Sequence, residues 1–162
     1  MLQHANRSLA ELEDCSMNAI DYTLLAIDSA TSPLKPVQLQ KSLFLLGAKL
    51  PQGILPDESK YIFKPYDYGP FCADIYSDAE RLEREGFVEI SRPPKSRYKE
   101  YAITRAGHQR AQMLKTAGQE GVIAYLQALV EYTQRLEFNQ LVSSVYHEFP
   151  DMKVNSIFKD DR

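Results

Sequence analysis

Two cysteines, Cys15 and Cys72, are all that the chain contains. That is too few for a disulfide framework, and neither has a second Cys or a His at metal-ligand spacing. A reducing compartment is therefore expected. The longest strongly apolar stretch, Leu43 to Ala48, falls far short of the ~20 residues that a membrane-spanning helix requires. The opening Met1-Leu2-Gln3-His4-Ala5-Asn6-Arg7 has no cationic stub leading an apolar run. Such a start does not read as an export signal, and a soluble cytoplasmic protein without a membrane partner is expected.

The usual catalytic groupings are missing as well. His4, His108 and His147 are widely separated, and none sits in a His-x-x-x-His or Cys-x-x-Cys setting. They are expected as surface or hydrogen-bonded histidines, with no metal site. There is no Gly-rich phosphate loop and no Gly-x-Ser-x-Gly elbow, which removes the simplest routes to nucleotide and acyl chemistry. Cys72 falls near the start of a helix, where the dipole lowers a thiol pKa, but no His stands at fixed spacing to work with it. Core packing is the plainer reading. Glu83 and Glu85 alternate with Arg81 and Arg84, as on a solvated helix face. A protein that is not an enzyme and carries no cofactor is expected. Positive charge is also scarce: 19 Lys and Arg face 22 Asp and Glu, a formal net charge of −3. No global field draws the molecule to nucleic acid or anionic lipid, so any such binding needs a local patch.

What is present suffices for one packed domain over residues 1–162. The chain is 44% hydrophobic and 25% charged, with only seven Gly and nine Pro, a globular balance. Ala10 to Ala30 carries apolar residues at Leu12, Ile20, Leu24, Leu25 and Ile27, spaced for one face of a helix from about Met17 onward. Ser32-Pro33-Leu34-Lys35-Pro36 breaks it. Pro36 opens a second helix with Val37, Leu39, Leu43, Phe44, Leu46 and Leu50 inward, and Pro51-Gln52-Gly53 ends it. Residues 51–70 gather Pro51, Gly53, Pro56, Pro65 and Gly69 around a short extended piece, Lys60 to Lys64, and read as a structured loop with a brief strand there. Pro70 is expected to open a third helix through Glu85, with Gly86 as its left-handed stop. Phe87–Ser91 and Tyr98–Ile103 form β-rich runs joined by Arg92-Pro93-Pro94-Lys95-Ser96-Arg97, a hairpin with a basic tip. Thr104 caps a fourth helix reaching about Lys115. Two further apolar series, Val122 to Leu136 and Phe138 to Phe149, predict two C-terminal helices.

The fold class is thus mainly α with a small β-hairpin. Residues 17–116 follow the order of a winged helix-turn-helix core, and residues 117–162 form a C-terminal helical extension. The extra helices cover an open face of the core or pair with another copy as a homodimer. Gly86-Phe87-Val88 and Tyr101 through Gly107 resemble the hairpin and exit helix of many winged-helix regulators, over residues 71–112.

Charge divides this core sharply. The third helix would ordinarily enter the major groove. Between Phe71 and Glu85 it has two arginines against five carboxylates, a net of −3, and DNA phosphates repel that sign. The hairpin differs. From Ser91 to Arg110, Arg92, Lys95, Arg97, Lys99, Arg105 and Arg110 face only Glu100, a net of +5. Arg92, Lys95, Arg97, Lys99 and Arg105 are the candidate nucleic-acid contacts. The competing reading is a solvated hairpin whose charges deter edge-to-edge pairing or dock on an acidic protein. A second cluster is aromatic: Tyr61, Phe63, Tyr66, Tyr68, Phe71 and Tyr76 lie within sixteen residues. Such side chains suit protein interfaces, or they fold the loop onto the helices. Tyr66 and Tyr68 are expected to be at least partly exposed.

Two of these motifs together resemble a known family. Leu39-Gln40-Lys41-Ser42-Leu43-Phe44-Leu45-Leu46, followed by Pro65-Tyr66-Asp67-Tyr68-Gly69-Pro70-Phe71 and then Tyr76, is similar to the Leu-Gln-Lys helix and Tyr-Gly-Pro motif of the Panacea domain. This is the SocA-type antitoxin domain, and the likeness is nearest to its YwgA-like bacterial branch. The resemblance covers about residues 17–90 and extends more faintly over Tyr146 to Ser156. It implies a bacterial or phage helical domain that binds a toxin or a defence-system component. It also implies an interface or structural role for Gln40, Lys41, Tyr68, Gly69, Pro70 and Tyr76. The basic hairpin and the two C-terminal helices depart from the antitoxin pattern and suit an accessory regulator in phage defence. The leading expectation is a non-catalytic winged-helix adaptor that binds a protein through Tyr66, Tyr68 and the adjoining helix face. The rival is a DNA-binding transcriptional regulator that uses its wing.

Overall fold

The computed structural model describes residues 17–159. Leu12, Cys15 and His4 lie outside the described residues. Helix α1 spans Ala19–Ser29. Its entry is fixed by the Asn18 amide donating to the Asp21 carboxylate at 3.0 Å, which also places a negative charge at the helix N-terminus. Tyr22 through Ile27 are buried without a break, so α1 is a central helix packed on all sides rather than an amphipathic surface one. Helix α2 spans Pro36–Lys49, with Pro36 in its first turn, where the missing amide costs no hydrogen bond.

The order that follows is the one expected from the sequence: α3 at Ala73–Arg84, strand β3 at Val88–Ser91, β4 at Glu100–Ile103, then α4 at Arg105–Ala117. Two C-terminal helices follow, α5 at Glu120–Arg135 and α6 at Phe138–Glu148. The protein is mainly α with a small antiparallel hairpin. β3 and β4 pair with Val88 opposite Ile103 and Ser91 opposite Glu100. Leu34, in the link between α1 and α2, exchanges two 2.9 Å backbone hydrogen bonds with Tyr101. That bridge welds the base of the hairpin to the start of α2. Thr104 caps α4 as expected, its hydroxyl accepting from the Gly107 amide at 3.0 Å.

Two expectations are corrected. Pro70 does not open the third helix. Gly69–Phe71 forms strand β2, which pairs antiparallel with β1, Lys64–Tyr66. Helix α3 starts only at Ala73 because the backbone of Cys72 is held in an extended conformation by Gln40. The strand is also displaced from Lys60–Lys64. Tyr61 is tethered there by a different interaction: its hydroxyl donates to Asp78 at 2.7 Å and lies 2.6 Å from the Thr23 hydroxyl. This chain links α1, the loop and α3, and burial raises the Tyr61 pKa. Phe63 packs edge-on against Phe44. These two aromatics therefore fold the loop onto the core, the structural alternative stated for the cluster.

The apolar faces of α5 and α6 are consumed within the chain. Leu126 and Val130 of α5, and Leu141 and Val142 of α6, are fully buried. α5 lies along α2, with the buried hydroxyls of Ser42 and Thr133 3.0 Å apart. Another polar link joins α1 to α4, where the buried Asp28 carboxylate meets the exposed His108 through Nδ1 at 2.6 Å and Lys115 through Nζ at 3.2 Å. Cys72 is free and buried, as a packing residue. No described helix is long and apolar enough to cross a membrane.

The tightest approach between elements lies at Gly107, where a β-carbon would come 1.9 Å from the Phe87 carbonyl oxygen. A methyl there must push α4 off the hairpin. Gly107→Ala is expected to cost about 2–3 kcal/mol in equilibrium urea denaturation. A loss below about 0.5 kcal/mol would show that α4 is not seated as described.

Candidate functional site

Consecutive side chains of α2 reach across to the β1–β2 hairpin and hold its outgoing backbone. Gln40 is buried and makes a two-point contact with Cys72: its Nε2 donates to the Cys72 carbonyl at 2.8 Å, and its Oε1 accepts the Cys72 amide at 3.0 Å. Lys41 is only 3% exposed, and its Nζ donates to the Pro70 carbonyl at 3.0 Å. Between them these contacts fix the backbone on both sides of Phe71. Gly69 is needed for two reasons. Its φ is +100°, and a β-carbon would stand 3.2 Å from the Tyr146 ring and 3.5 Å from Lys41 Nζ, so strain and crowding coincide. Tyr146 in turn donates its hydroxyl to Ser156, whose own hydroxyl donates to the Asp67 carbonyl at 3.2 Å. The segment after α6 thereby closes over the turn.

A cleft of about 490 Å³ opens above this clamp. Lys41 and Gln40 form part of its floor, Tyr68, Tyr76 and Tyr98 its aromatic walls, and Phe138 at the head of α6 its far side. Tyr68 meets Phe138 edge-on with ring centroids 5.1 Å apart. Tyr76 lies parallel to Tyr101 at 6.2 Å. Burial pushes the Tyr76 pKa up to about 12, with the neighbouring Gln40 amide acting the other way. Burial and the nearby Tyr76 and Glu80 raise Tyr101 as well. Pro36, Tyr76 and Tyr98 also line a second hollow of about 300 Å³, whose remaining wall includes Glu80, Arg92, Arg97 and Lys99. The two hollows make one groove that runs from the α2–β2 clamp to the base of the wing.

The groove unites residues that the sequence assigned to two competing functions. Gln40, Lys41, Tyr68 and Tyr76, expected at a protein interface, share it with Arg92, Arg97 and Lys99, expected on nucleic acid. Gly69 and Pro70 are buried beneath as scaffold. Tyr66 lies outside the groove, 54% exposed and stacked on Phe71. Lys95 and Arg105 are exposed and line neither hollow. Tyr98 and Phe138 were not singled out in the sequence. Tyr98, 52% exposed, was the detectable one, as an aromatic set among hairpin cations. Phe138 looked like any member of an apolar helix series.

The acidic outer face of α3 is as expected, with Asp74, Glu80, Glu83 and Glu85 all exposed. Glu85 is paired with Arg81 at 3.1 Å. Among the described residues, no three of His, Cys, Asp and Glu come together as a metal ion requires. A larger, more open hollow of about 770 Å³ lies along α6, but its lining contains no buried charge. No family model, curated protein or solved structure matches the chain.

Burial holds the Lys41 pKa at about 8, below the ordinary 10.5, with no counter-ion among the described residues. The unfolded chain therefore binds the extra proton between pH 8 and 10.5, and stability rises with pH in that window. Above pH 10 the raised tyrosines reverse the trend, because they stay protonated only when folded. The wild-type protein is expected to gain about 1–2 kcal/mol between pH 8 and pH 10 by urea denaturation. Lys41→Met should abolish that gain. Parallel pH profiles for the two proteins would refute a buried, unneutralised ammonium.

Proposed function

We propose that this protein is a non-catalytic winged-helix adaptor of the cytoplasm that captures a protein partner, as an antitoxin-like or phage-defence accessory subunit. The observation that carries the reading is the meeting of the Leu-Gln-Lys and Tyr-Gly-Pro motifs. Gln40 and Lys41 grip the backbone at Pro70 and Cys72, and this grip holds an aromatic cleft open beside two exposed tyrosines, Tyr66 and Tyr68. Tyr offers large contact area with few rotors to freeze, the property that favours it as an interface anchor. The acidic face of α3 supports the same conclusion, since it disfavours a phosphate backbone and leaves polypeptide as the natural partner.

A second reading rests on the wing. Arg92, Lys95, Arg97 and Lys99 are exposed, and among the described residues none is within salt-bridge distance of a carboxylate. They are free to meet phosphate. This reading makes the protein a transcriptional regulator that contacts duplex through the hairpin rather than through α3.

The readings separate in two measurements. Tyr66→Ala with Tyr68→Ala is expected to leave the thermal unfolding midpoint nearly unchanged. It should weaken capture of the host partner in pull-downs by about 2 kcal/mol or more, if these rings anchor the interface. Undiminished capture removes the aromatic site. Duplex binding at low salt that disappears when Arg92, Lys95 and Arg97 are changed to Ser would establish the second reading in its place.

A further inference from the structure

We propose that the cleft over Lys41 receives a carboxylate side chain carried beside an aromatic residue on an extended acidic segment of the protein partner. The inference rests on the adaptor reading above and names the chemistry that its site recognises.

The site around Lys41 is incomplete. An ammonium has three N–H donors, and the Pro70 carbonyl is the one acceptor that Lys41 engages among the described residues. None of the salt bridges among those residues involves it. A buried cation is costly unless it is paired and hydrogen-bonded, and an anion placed beside it turns that penalty into binding energy. Charge on the rest of the groove agrees. Lys35, Lys41, Arg92, Arg97 and Lys99 outnumber Glu80 and Glu137 along its two hollows, giving a local excess of three positive charges in a chain of net charge −3.

The walls define the remainder of the ligand. Tyr68, Tyr76, Tyr98 and Phe138 leave a slot of about 490 Å³, a volume that suits one aromatic side chain with its backbone and a neighbouring carboxylate. The exposed wing cations at the other end of the groove suit further acidic residues on the same segment. The whole matches a linear peptide whose one deep contact is made at Lys41 and whose remaining charges meet the rim.

The test uses two blocked pentapeptides, Ser-Phe-Glu-Glu-Ser and its neutral twin Ser-Phe-Gln-Gln-Ser, titrated into ¹⁵N-labelled full-length protein at pH 7. The acidic peptide is expected to bind at least tenfold more tightly than the twin and to shift the amides of Gln40, Lys41 and Tyr68. Lys41→Met should erase most of that preference, while Arg92→Ser with Arg97→Ser should reduce it only about threefold. Equal affinity for the two peptides, binding of neither, or shifts confined to residues 91–99 would overturn the proposal, and the peptide comparison stands even if Lys41→Met fails to fold. Partner capture by Lys41→Met equal to wild type would reject the carboxylate pocket and leave the adaptor intact. Absence of any partner on the wild-type protein would reject the adaptor itself.

Discussion

The structure around the groove depends on two neighbouring side chains of α2 that satisfy backbone groups of a different segment. Gln40 supplies both a donor and an acceptor to Cys72, and Lys41 supplies a donor to Pro70. These backbone groups are buried at the end of a very short hairpin. Without partners each would carry the penalty of an unmet hydrogen bond in an apolar setting. The contact settles where β2 ends, and therefore where α3 begins. It thereby sets the position of Tyr76 on the first turn of α3 and of Tyr68 in the turn before Gly69. A change at either α2 residue reaches the aromatic walls without touching them.

The two residues differ in kind. Glutamine is neutral and its amide both donates and accepts, so its burial carries no charge penalty. Lysine brings a full charge into the same region, and among the described residues its ammonium has a single carbonyl as partner. A neutral donor would bind Pro70 at lower cost, and replacing buried ions with apolar groups is often neutral or stabilising. The fold by itself therefore gives no reason to prefer Lys41. A residue that burdens stability where a concave aromatic surface passes over it is the pattern expected at a binding site, since pre-organised recognition commonly trades against stability. The same trade is absent at Asp28, where His108 and Lys115 complete the buried carboxylate from within the chain.

Much of the architecture was legible in the sequence because helices announce themselves through local signals. Pro36, Thr104 and Gly86 punctuate the chain where the structure begins or ends elements, and these signals together with the periodic apolar series pointed to the six helices of the described residues. The errors share a cause. Pro70 followed by an amphipathic run reads as a helix start, yet residues 69–71 take part in a two-stranded ladder with residues 64–66. That ladder is stabilised by Gln40, thirty-two positions before Cys72. Local pattern contains no term for such a distant partner. The site was legible to the same degree. Tyr68 and Tyr76 stood out by composition and Lys41 by its motif, whereas Phe138 joins the cleft only because α6 folds back across the turn. Nor did charge counting show that the wing and the Tyr-rich junction share one groove. Their union depends on the Leu34–Tyr101 bridge, which brings the hairpin base to the start of α2.

The charge of α3 bears on how the positive charge of the hairpin is used. A helix-turn-helix protein that reads DNA lays its recognition helix in the major groove. Here the helix in that position exposes Asp74, Glu80 and Glu83. The hairpin cations Arg92 and Lys99 line a hollow with Glu80 and Glu83 on the adjacent face of α3. A duplex lying across the wing would bring phosphates toward those carboxylates, and the repulsion would offset part of the gain from the wing. An extended polypeptide that follows the groove toward Lys41 passes Glu80 and Glu137 but meets five cations on the way, and Glu83 stands outside it. The balance of charge along the groove is therefore positive while the outer face of α3 beside it is negative, and sign favours an acidic segment over a duplex.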